Sequence, residues 1–261
     1  MEILKFENVS LNYHSPEGET HALQGINFSV TQGEFVAVVG PSGCGKTTIL
    51  SLISGLLKPT SGTVYIEDTP VTKPNGQTGY MLQTDKLFEW RSIEKNVLLG
   101  LEIQKKKTKE NVDYAMSLIN KYGLTEFKKH YPNQLSGGMR QRAALIRTLA
   151  FRPKLLLLDE PFSALDFQTR LIVCDDVHNI IKSESITAVL VTHDISEAVA
   201  IADRVIILSS RPANVKSIYA IDIDKPTPLA RREDTRFGGW FEKILKELKS
   251  EENEKEDSAD A

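Results

Sequence analysis

Cysteine is scarce in this chain of 261 residues: Cys44 and Cys174 are its two thiols. Two thiols make neither the multi-bridge framework of a small secreted domain nor a cysteine-rich metal site, so both are expected free in a reducing compartment. Long apolar runs are also missing. Those present, such as Leu155–Leu158 and Val205–Leu208, are short, whereas a membrane-spanning helix needs about 20 apolar residues. The opening Met-Glu-Ile-Leu-Lys-Phe-Glu places acids where a signal peptide has bases and lacks an apolar h-region, so no signal peptide is expected. Nor is there an excess of one charge. Lys and Arg total 32 against 35 Asp and Glu, a formal net charge of −3, which argues against general nucleic-acid binding.

The rest of the composition is that of a globular protein. Hydrophobic residues make up 41% and charged residues 26%, which excludes a collagen-like or wholly disordered chain. The length fits one large domain or two closely joined lobes, with a core that needs no covalent staples. Charge is uneven only at the C-terminus, where residues 251–261 carry six acids against Lys255. Residues 250–261 are therefore expected to form a disordered acidic tail.

Three apolar stretches, Glu34–Gly40, Lys154–Asp159 and Thr187–Thr192, have the pattern of buried parallel strands, and each precedes a helix-like segment. Strands alternating with helices predict an α/β fold. The first 30 residues differ: Leu4–Val9 and Ile26–Val30 are short and β-rich, which predicts an antiparallel subdomain. Residues 92–150 change texture. Val112, Ala115, Met116 and Ile119 share one helical face within Thr108–Tyr122, with Gly123 as a stop, so a helical insertion is expected there. Trp240, Phe241, Ile244, Leu245 and Leu248 form a stripe that predicts a C-terminal helix packed on its own domain.

The chemistry begins at Gly40-Pro41-Ser42-Gly43-Cys44-Gly45-Lys46-Thr47-Thr48, which matches G-x-x-x-x-G-K-[ST] between a predicted strand and a predicted helix. Glycines let the backbone bend so that successive N–H groups point at phosphate oxygens, and the helix start adds its positive end. Lys46 is placed to reach the β and γ phosphates of ATP, and the Thr47 hydroxyl to ligate Mg²⁺. The run Leu155–Leu158 ends in Asp159-Glu160. Ligands of open α/β sheets bind beyond the carboxyl ends of strands. Asp159 is thus a candidate Mg²⁺ carboxylate and Glu160 a candidate general base facing water. A second anion site is legible at Leu135-Ser136-Gly137-Gly138-Met139-Arg140-Gln141, where Ser136 is a good N-cap for the helix that follows. One ATP has no use for a second such site on the same chain. Two chains paired head to tail do, because Ser136 and Gly138 of one then close over the γ-phosphate held by the other.

These motifs, in this order, resemble the nucleotide-binding subunit of an ATP-binding cassette (ABC) transporter, with Leu135–Gln141 as the family's signature. The resemblance covers residues 3–210. It implies an ABC-type P-loop fold: a RecA-like parallel sheet core with the antiparallel subdomain over residues 1–91 and 151–225, and a helical signature subdomain over 92–150. A C-terminal helix is expected over 226–249. It also implies roles for further residues. Gln83 matches the glutamine that touches Mg²⁺ and the attacking water and couples the site to the helical lobe. Ser163-Ala164-Leu165-Asp166 matches the segment that runs along the dimer interface, His193 the histidine that orients Glu160 and water at the γ-phosphate, and Tyr13 the aromatic that stacks on adenine, with His21 a weaker competitor. Gly40 through Thr48, Ser136, Gly137, Gly138, Gln141 and Asp166 complete the expected nucleotide contacts.

With one nucleotide domain and no span, the chain resembles the separate ATPase of a bacterial importer. Leu87–Ser92, Asn96-Val97, Leu99-Gly100 and Leu208–Pro212 are similar to the nitrate, sulfonate and taurine group. The expectation is an ATPase that dimerises over two MgATP and drives a separate permease at the cytoplasmic membrane face. A solute-binding protein would act through that permease, and Trp90 and Arg91 would line the groove for it. The alternatives are an export or lipoprotein-release ATPase and a soluble, non-transport cassette ATPase. A P-loop kinase would have no use for Leu135–Gln141.

Overall fold

The computed structural model describes residues 1–16, 18–74 and 76–259, with side chains through residue 250. In chain order the elements are β1 (Glu2–Ser15), β2 (Gly18–Thr31), β3 (Phe35–Val39), α1 (Lys46–Ile53), β4 (Ser61–Ile66), β5 (Thr69–Pro70) and β6 (Thr78–Met81). Then come α2 (Ile93–Val97), α3 (Leu99–Ile103), α4 (Lys109–Lys121), α5 (Gly137–Leu149), β7 (Leu155–Asp159) and α6 (Phe167–Ser183). The chain closes with β8 (Thr187–Val191), α7 (Ile195–Ile201), β9 (Arg204–Leu208), β10 (Val215–Ala220), α8 (Pro228–Arg232) and α9 (Arg236–Ala259). Two compact units result, Met1–Asn75 with Thr187–Ala261, and Gly76–Ile186.

In the first unit β3 lies parallel between β8 and β9, and β10 runs antiparallel to β9. Every residue of β3 and β8 is buried, which is why both read as unbroken apolar runs. The N-terminal subdomain is antiparallel, as expected, with strand order β2-β1-β4-β5. Its strands are longer than the sequence shows, 14 residues each for β1 and β2. Register shifts between Phe6 and Val9 and between Val9 and Leu11 interrupt the apolar alternation, so one continuous strand presents shorter patterned pieces. Asn8 sits in the first of these with φ 48°, its N–H held by Asn27 Oδ1 at 2.8 Å. Opposite it, a Cβ on Gly62 would lie 2.2 Å from the Asn8 carbonyl oxygen, so only glycine lets the strands close there.

The C-terminal helix differs from its expected bounds. The short α8 precedes it, capped by Thr227, whose hydroxyl accepts from Ala230 N at 3.2 Å. The long helix starts at Arg236 and its backbone continues to Ala259, through most of the segment expected to be a disordered tail. Glu is the commonest residue of that stretch, a strong helix former able to extend a helix already seated by its apolar stripe. Residues 260 and 261 lie outside the described residues. The seating is local, as expected: Ile244 is buried, Trp240 Nε1 donates to Asp222 Oδ1 at 2.7 Å, and the Lys243 ammonium lies 4.0 Å from the centre of the Tyr219 ring.

The second unit pairs β6 and β7 in parallel and adds α2 to α6. The helical insertion over 92–150 is present, but compactness groups it with β6, β7 and α6 rather than setting it apart. The reason is α5, which packs on both β6 and α6. Thr108 caps α4 by accepting from Asn111 N at 3.3 Å, and Gly123 ends it with φ 75°. The buried stripe is Ala115, Leu118 and Ile119.

Candidate functional site

In the first unit β3 feeds the glycine loop, and α1 starts directly at Lys46. Gly45 caps this helix with φ 117°, a conformation that favours glycine, and a Cβ there would lie 2.9 Å from Leu23 Cδ2 and push that side chain aside. Lys46 is 7% exposed and its ammonium donates to the carbonyls of Gly40 and Pro41, each at 2.9 Å. The cation is therefore drawn across the loop onto neutral acceptors. Phosphate oxygens, which carry charge, are stronger partners for the same ammonium. Cys44 is buried in the loop and burial pushes its thiol up, away from the reactive thiolate.

Tyr13, 40% exposed, ends in a hydroxyl 3.0 Å from Thr48 Oγ1, which ties the aromatic to the first turn of α1. His21, the competing aromatic, pairs instead with Asn12, Nδ1 to Oδ1 at 3.0 Å. His193 follows β8 with its side chain exposed. Its turn is held from below: Thr192 Oγ1 donates to buried Glu197 at 2.8 Å, Asp194 N donates to Thr192 Oγ1 at 3.0 Å, and Asp194 caps α7 by accepting from Glu197 N at 3.1 Å.

In the second unit Asp159 ends β7, 8% exposed, and accepts from the Tyr80 hydroxyl on the parallel neighbour β6 at 3.2 Å. Glu160 follows with φ 45°, a left-handed conformation that costs a non-glycine residue roughly 1–3 kcal/mol. A turn holds it there. The Glu160 carbonyl accepts from the Ser163 hydroxyl at 3.0 Å and the Ser163 N–H at 3.2 Å, and Gln83 Nε2 donates to the same hydroxyl at 3.2 Å. Gln83, Asp159, Glu160 and Ser163 thus belong to one hydrogen-bonded turn and strand end.

The signature segment starts α5. Ser136 accepts from Met139 N at 3.3 Å, as expected of an N-cap. Ser136, Gly137 and Gly138 share a groove of about 310 Å³ with Ala164, Leu165 and Asp166. Asp166 caps α6, and hydrogen bonds from Thr169 hold its carboxyl below the usual range. Gln141 does not join them, which corrects its expected place among nucleotide contacts. It is 3% exposed and donates to the Pro161 carbonyl at 2.8 Å, so it braces the turn after β7 from inside the unit. Of the two groove candidates, Trp90 is 75% exposed with its ring 4.8 Å from Phe88, whereas Arg91 turns back to Glu102 at 2.7 Å.

Three contributions escaped the sequence reading: Tyr80 on Asp159, the Ser163 hydroxyl between Gln83 and Glu160, and an arginine brace behind Gln83. In that brace Arg140 Nε donates to Asp85 Oδ2 at 3.0 Å, while Arg147 donates to the carbonyls of Asp85 and Lys86 at 2.7 and 2.6 Å. A signal for the brace existed, since arginines seven residues apart share one helix face.

A glycine loop opening directly onto a helix, with parallel strands behind it and an acidic strand end, defines a P-loop nucleoside triphosphatase. The chain belongs to the ABC transporter ATP-binding family: residues 23–163 match the ABC transporter family. It is similar to an uncharacterized ABC transporter ATP-binding protein of Bacillus subtilis, with 46% identity over 97% of this chain and 98% of the relative. It is 38% identical to the nitrate import ATP-binding protein NrtD of Synechocystis, over 96% of this chain and 97% of NrtD. Among solved structures it resembles the dimeric post-hydrolysis state of the ATP-binding cassette MJ0796 bound to ADP and Pi, with a TM-score of 0.71 and 31% identity. That likeness covers 84% of this chain and 99% of the other. The chain is an ABC ATP-binding subunit and an ATPase. Among the described residues no helix is long and apolar enough to cross a membrane.

Proposed function

We propose that this subunit dimerises head to tail over two MgATP and drives a separate membrane permease for import. In this reading the Gly40–Thr48 loop and Lys46 hold the triphosphate and Tyr13 stacks on adenine. Ser136, Gly137 and Gly138 of one chain, with Asp166 at the interface, close over the γ-phosphate bound by the other. The observation that carries it is the Glu160 turn: a carboxylate held in a left-handed conformation directly after Asp159 and linked through Ser163 to Gln83. Strain kept at one acidic residue by a dedicated hydrogen-bond chain fits a base that must face a single water. His193, exposed on a firmly held turn, orients that water and the γ-phosphate.

The residues available also suit Mg²⁺. The Thr47 hydroxyl, the Asp159 carboxylate and the Gln83 amide oxygen are hard oxygen donors, the chemistry this ion takes. Among the described residues no group of three or more His, Cys, Asp or Glu could hold a metal, which fits an ion that arrives with the nucleotide phosphates. Bound there, the ion would neutralise charge on the transferred phosphoryl oxygens.

Import of nitrate, a sulfonate, taurine or a similar small solute is supported by the likeness to NrtD and by the segment Leu87–Ser92. Exposed Trp90 is suited to receive a permease helix, and the subunit would sit peripherally on the cytoplasmic membrane face. Purification of the tagged chain from native membranes in mild detergent, with mass spectrometry of its partners, tests this. A multi-span permease in near-equal amount, encoded beside a solute-binding protein, is expected. A chain that stays soluble with no span-bearing partner would leave the ATPase standing and remove the transport role.

A further inference from the structure

The turn between β9 and β10 reaches the phosphate loop through one side chain. Arg211 donates from its guanidinium to the Gly43 carbonyl at 2.7 Å. The turn that carries Arg211 is anchored on both flanks. Ala213 N donates to the Ala22 carbonyl at 3.0 Å, and the Ala213 carbonyl accepts from Gln24 N at 2.9 Å, fixing the turn to β2. Ser209 N donates to the Asn214 carbonyl, and Asn214 N to the Ser209 hydroxyl, both at 3.0 Å. Arg211 therefore acts from a supported position.

The bonded carbonyl lies at the apex of the loop, where Gly43 has φ 71°. A trans peptide points its C=O and its N–H in opposite directions. Holding the Gly43 carbonyl outward thus fixes the Cys44 N–H inward, where it donates to the Pro41 carbonyl at 3.3 Å. That same carbonyl accepts from the Lys46 ammonium. One peptide plane links Arg211 on the outside of the loop to the catalytic lysine on the inside. Glycine on one side of this peptide leaves its rotation nearly unopposed by sterics, so an outside bond has something to decide.

We propose that Arg211 is a positioning residue of the phosphate loop, which fixes the Gly43–Cys44 peptide and so holds the loop in the shape that takes triphosphate. The proposal rests on the ATP-binding reading of that loop. Arg211 touches no reacting atom in this role and sets affinity rather than the chemical step.

The test is Arg211→Ala in the full chain, with Arg211→Lys as the conservative companion, both checked for an unchanged thermal midpoint. Two quantities are read. The first is the rate of Cys44 alkylation by N-ethylmaleimide without nucleotide, corrected for the thiolate fraction by its pH dependence because the Arg211 charge also favours the Cys44 thiolate, and followed on the Cys44 peptide by mass spectrometry. The second is the split between KM for MgATP and kcat. Loss of one charge-assisted bond at an exposed site predicts faster Cys44 labelling and a KM raised about five- to tenfold with kcat within about twofold. Arg211→Lys, which keeps a cationic donor, is expected to recover part of both effects. Wild-type labelling in Arg211→Ala overturns the proposal, even if KM rises, because the charge would then act on the nucleotide and not on the loop. A wild-type chain that fails to bind MgATP would sink the reading of the site, and Cys44 labelling would still decide the role of Arg211.

Discussion

Gln83 donates to the Ser163 hydroxyl at 3.2 Å, and that hydroxyl donates to the carbonyl of Glu160 at 3.0 Å. A neutral amide on one loop is thereby connected to the strained residue proposed as the general base. The arrangement gives Gln83 a way to act on hydrolysis without carrying charge. In the proposed reading, movement of its loop would pull on the turn that holds Glu160.

Removing the link should separate the two residues. Ser163→Ala deletes one donor to the Glu160 carbonyl and leaves the Ser163 N–H in place. One of the bonds that hold Glu160 in its left-handed conformation is then lost. The expected outcome is ATP binding within about twofold of wild type and a kcat reduced about tenfold, as befits a misaligned base rather than a missing one. Equilibrium nucleotide binding alongside steady-state hydrolysis reads this directly. An unchanged kcat would show that the Ser163 hydroxyl does not govern Glu160.

Tyr80 gives the same kind of handle on Asp159. Its hydroxyl donates to the carboxylate at 3.2 Å across two parallel strands. Tyr80→Phe keeps the ring and removes that donor, at a stability cost of about 1 kcal/mol. A carboxylate less firmly oriented should need more Mg²⁺, with half-maximal activation of hydrolysis shifted upward about two- to fivefold. A Mg²⁺ titration at saturating ATP shows whether the shift exists. Identical activation curves would mean that Tyr80 serves packing alone.

How much of this was legible in the sequence differs by element. The strands β3, β7 and β8 and the loop Gly40–Thr48 were readable because full burial leaves unbroken apolar runs and the phosphate loop needs glycine and lysine at fixed spacing. The Ser136 cap was readable for a local reason, since an N-cap is decided within four residues. The full length of β1 and β2 was not, because register shifts break the alternation that marks a strand. Gln141 was misread because its spacing from Ser136 says nothing of which way a helix face turns, and here it turns inward. Tyr80, Ser163 and Arg211 stand 79, 3 and 168 residues from the partners they hold, Asp159, Glu160 and Gly43. Tyr80 and Arg211 meet theirs only through strand pairing or a distant turn. Ser163 is local, but its hydroxyl has meaning only once Glu160 is seen in a left-handed conformation.

Glu184 yields a pH prediction in the second unit. Its carboxylate accepts from Lys121 at 2.7 Å, Tyr122 at 2.8 Å and Tyr114 at 3.0 Å. Burial pushes this carboxyl up, but the three hydrogen bonds outweigh burial and leave it below its ordinary value of 4.5. A carboxylate held low stabilises the fold above its unfolded-state pKa and loses that contribution as pH falls through the folded value. Tyr114 shows the opposite sign: burial first, then the Glu184 carboxylate, pushes its hydroxyl up to about 12. Its neutral form therefore stabilises the fold below pH 10, a contribution lost as pH rises toward 12. Glu184→Gln is expected to lose about 1–3 kcal/mol at pH 7. Urea unfolding at pH 7 and at pH 3.5 should show the gap from wild type narrowing in acid. A gap of equal size at both pH values would assign the cluster to packing rather than charge.

The measurement that bears most directly on the account is the mass in solution of Glu160→Gln, by light scattering with and without MgATP. Replacing the base with its neutral isostere should reduce turnover about 10²- to 10⁴-fold and leave nucleotide binding intact. The closed state would then accumulate. The account predicts 29.2 kDa without nucleotide and twice that mass with MgATP. Adding Ser136→Arg to the same chain should abolish the doubling. A Glu160→Gln chain that binds MgATP and stays at 29.2 kDa would contradict a site completed by two chains.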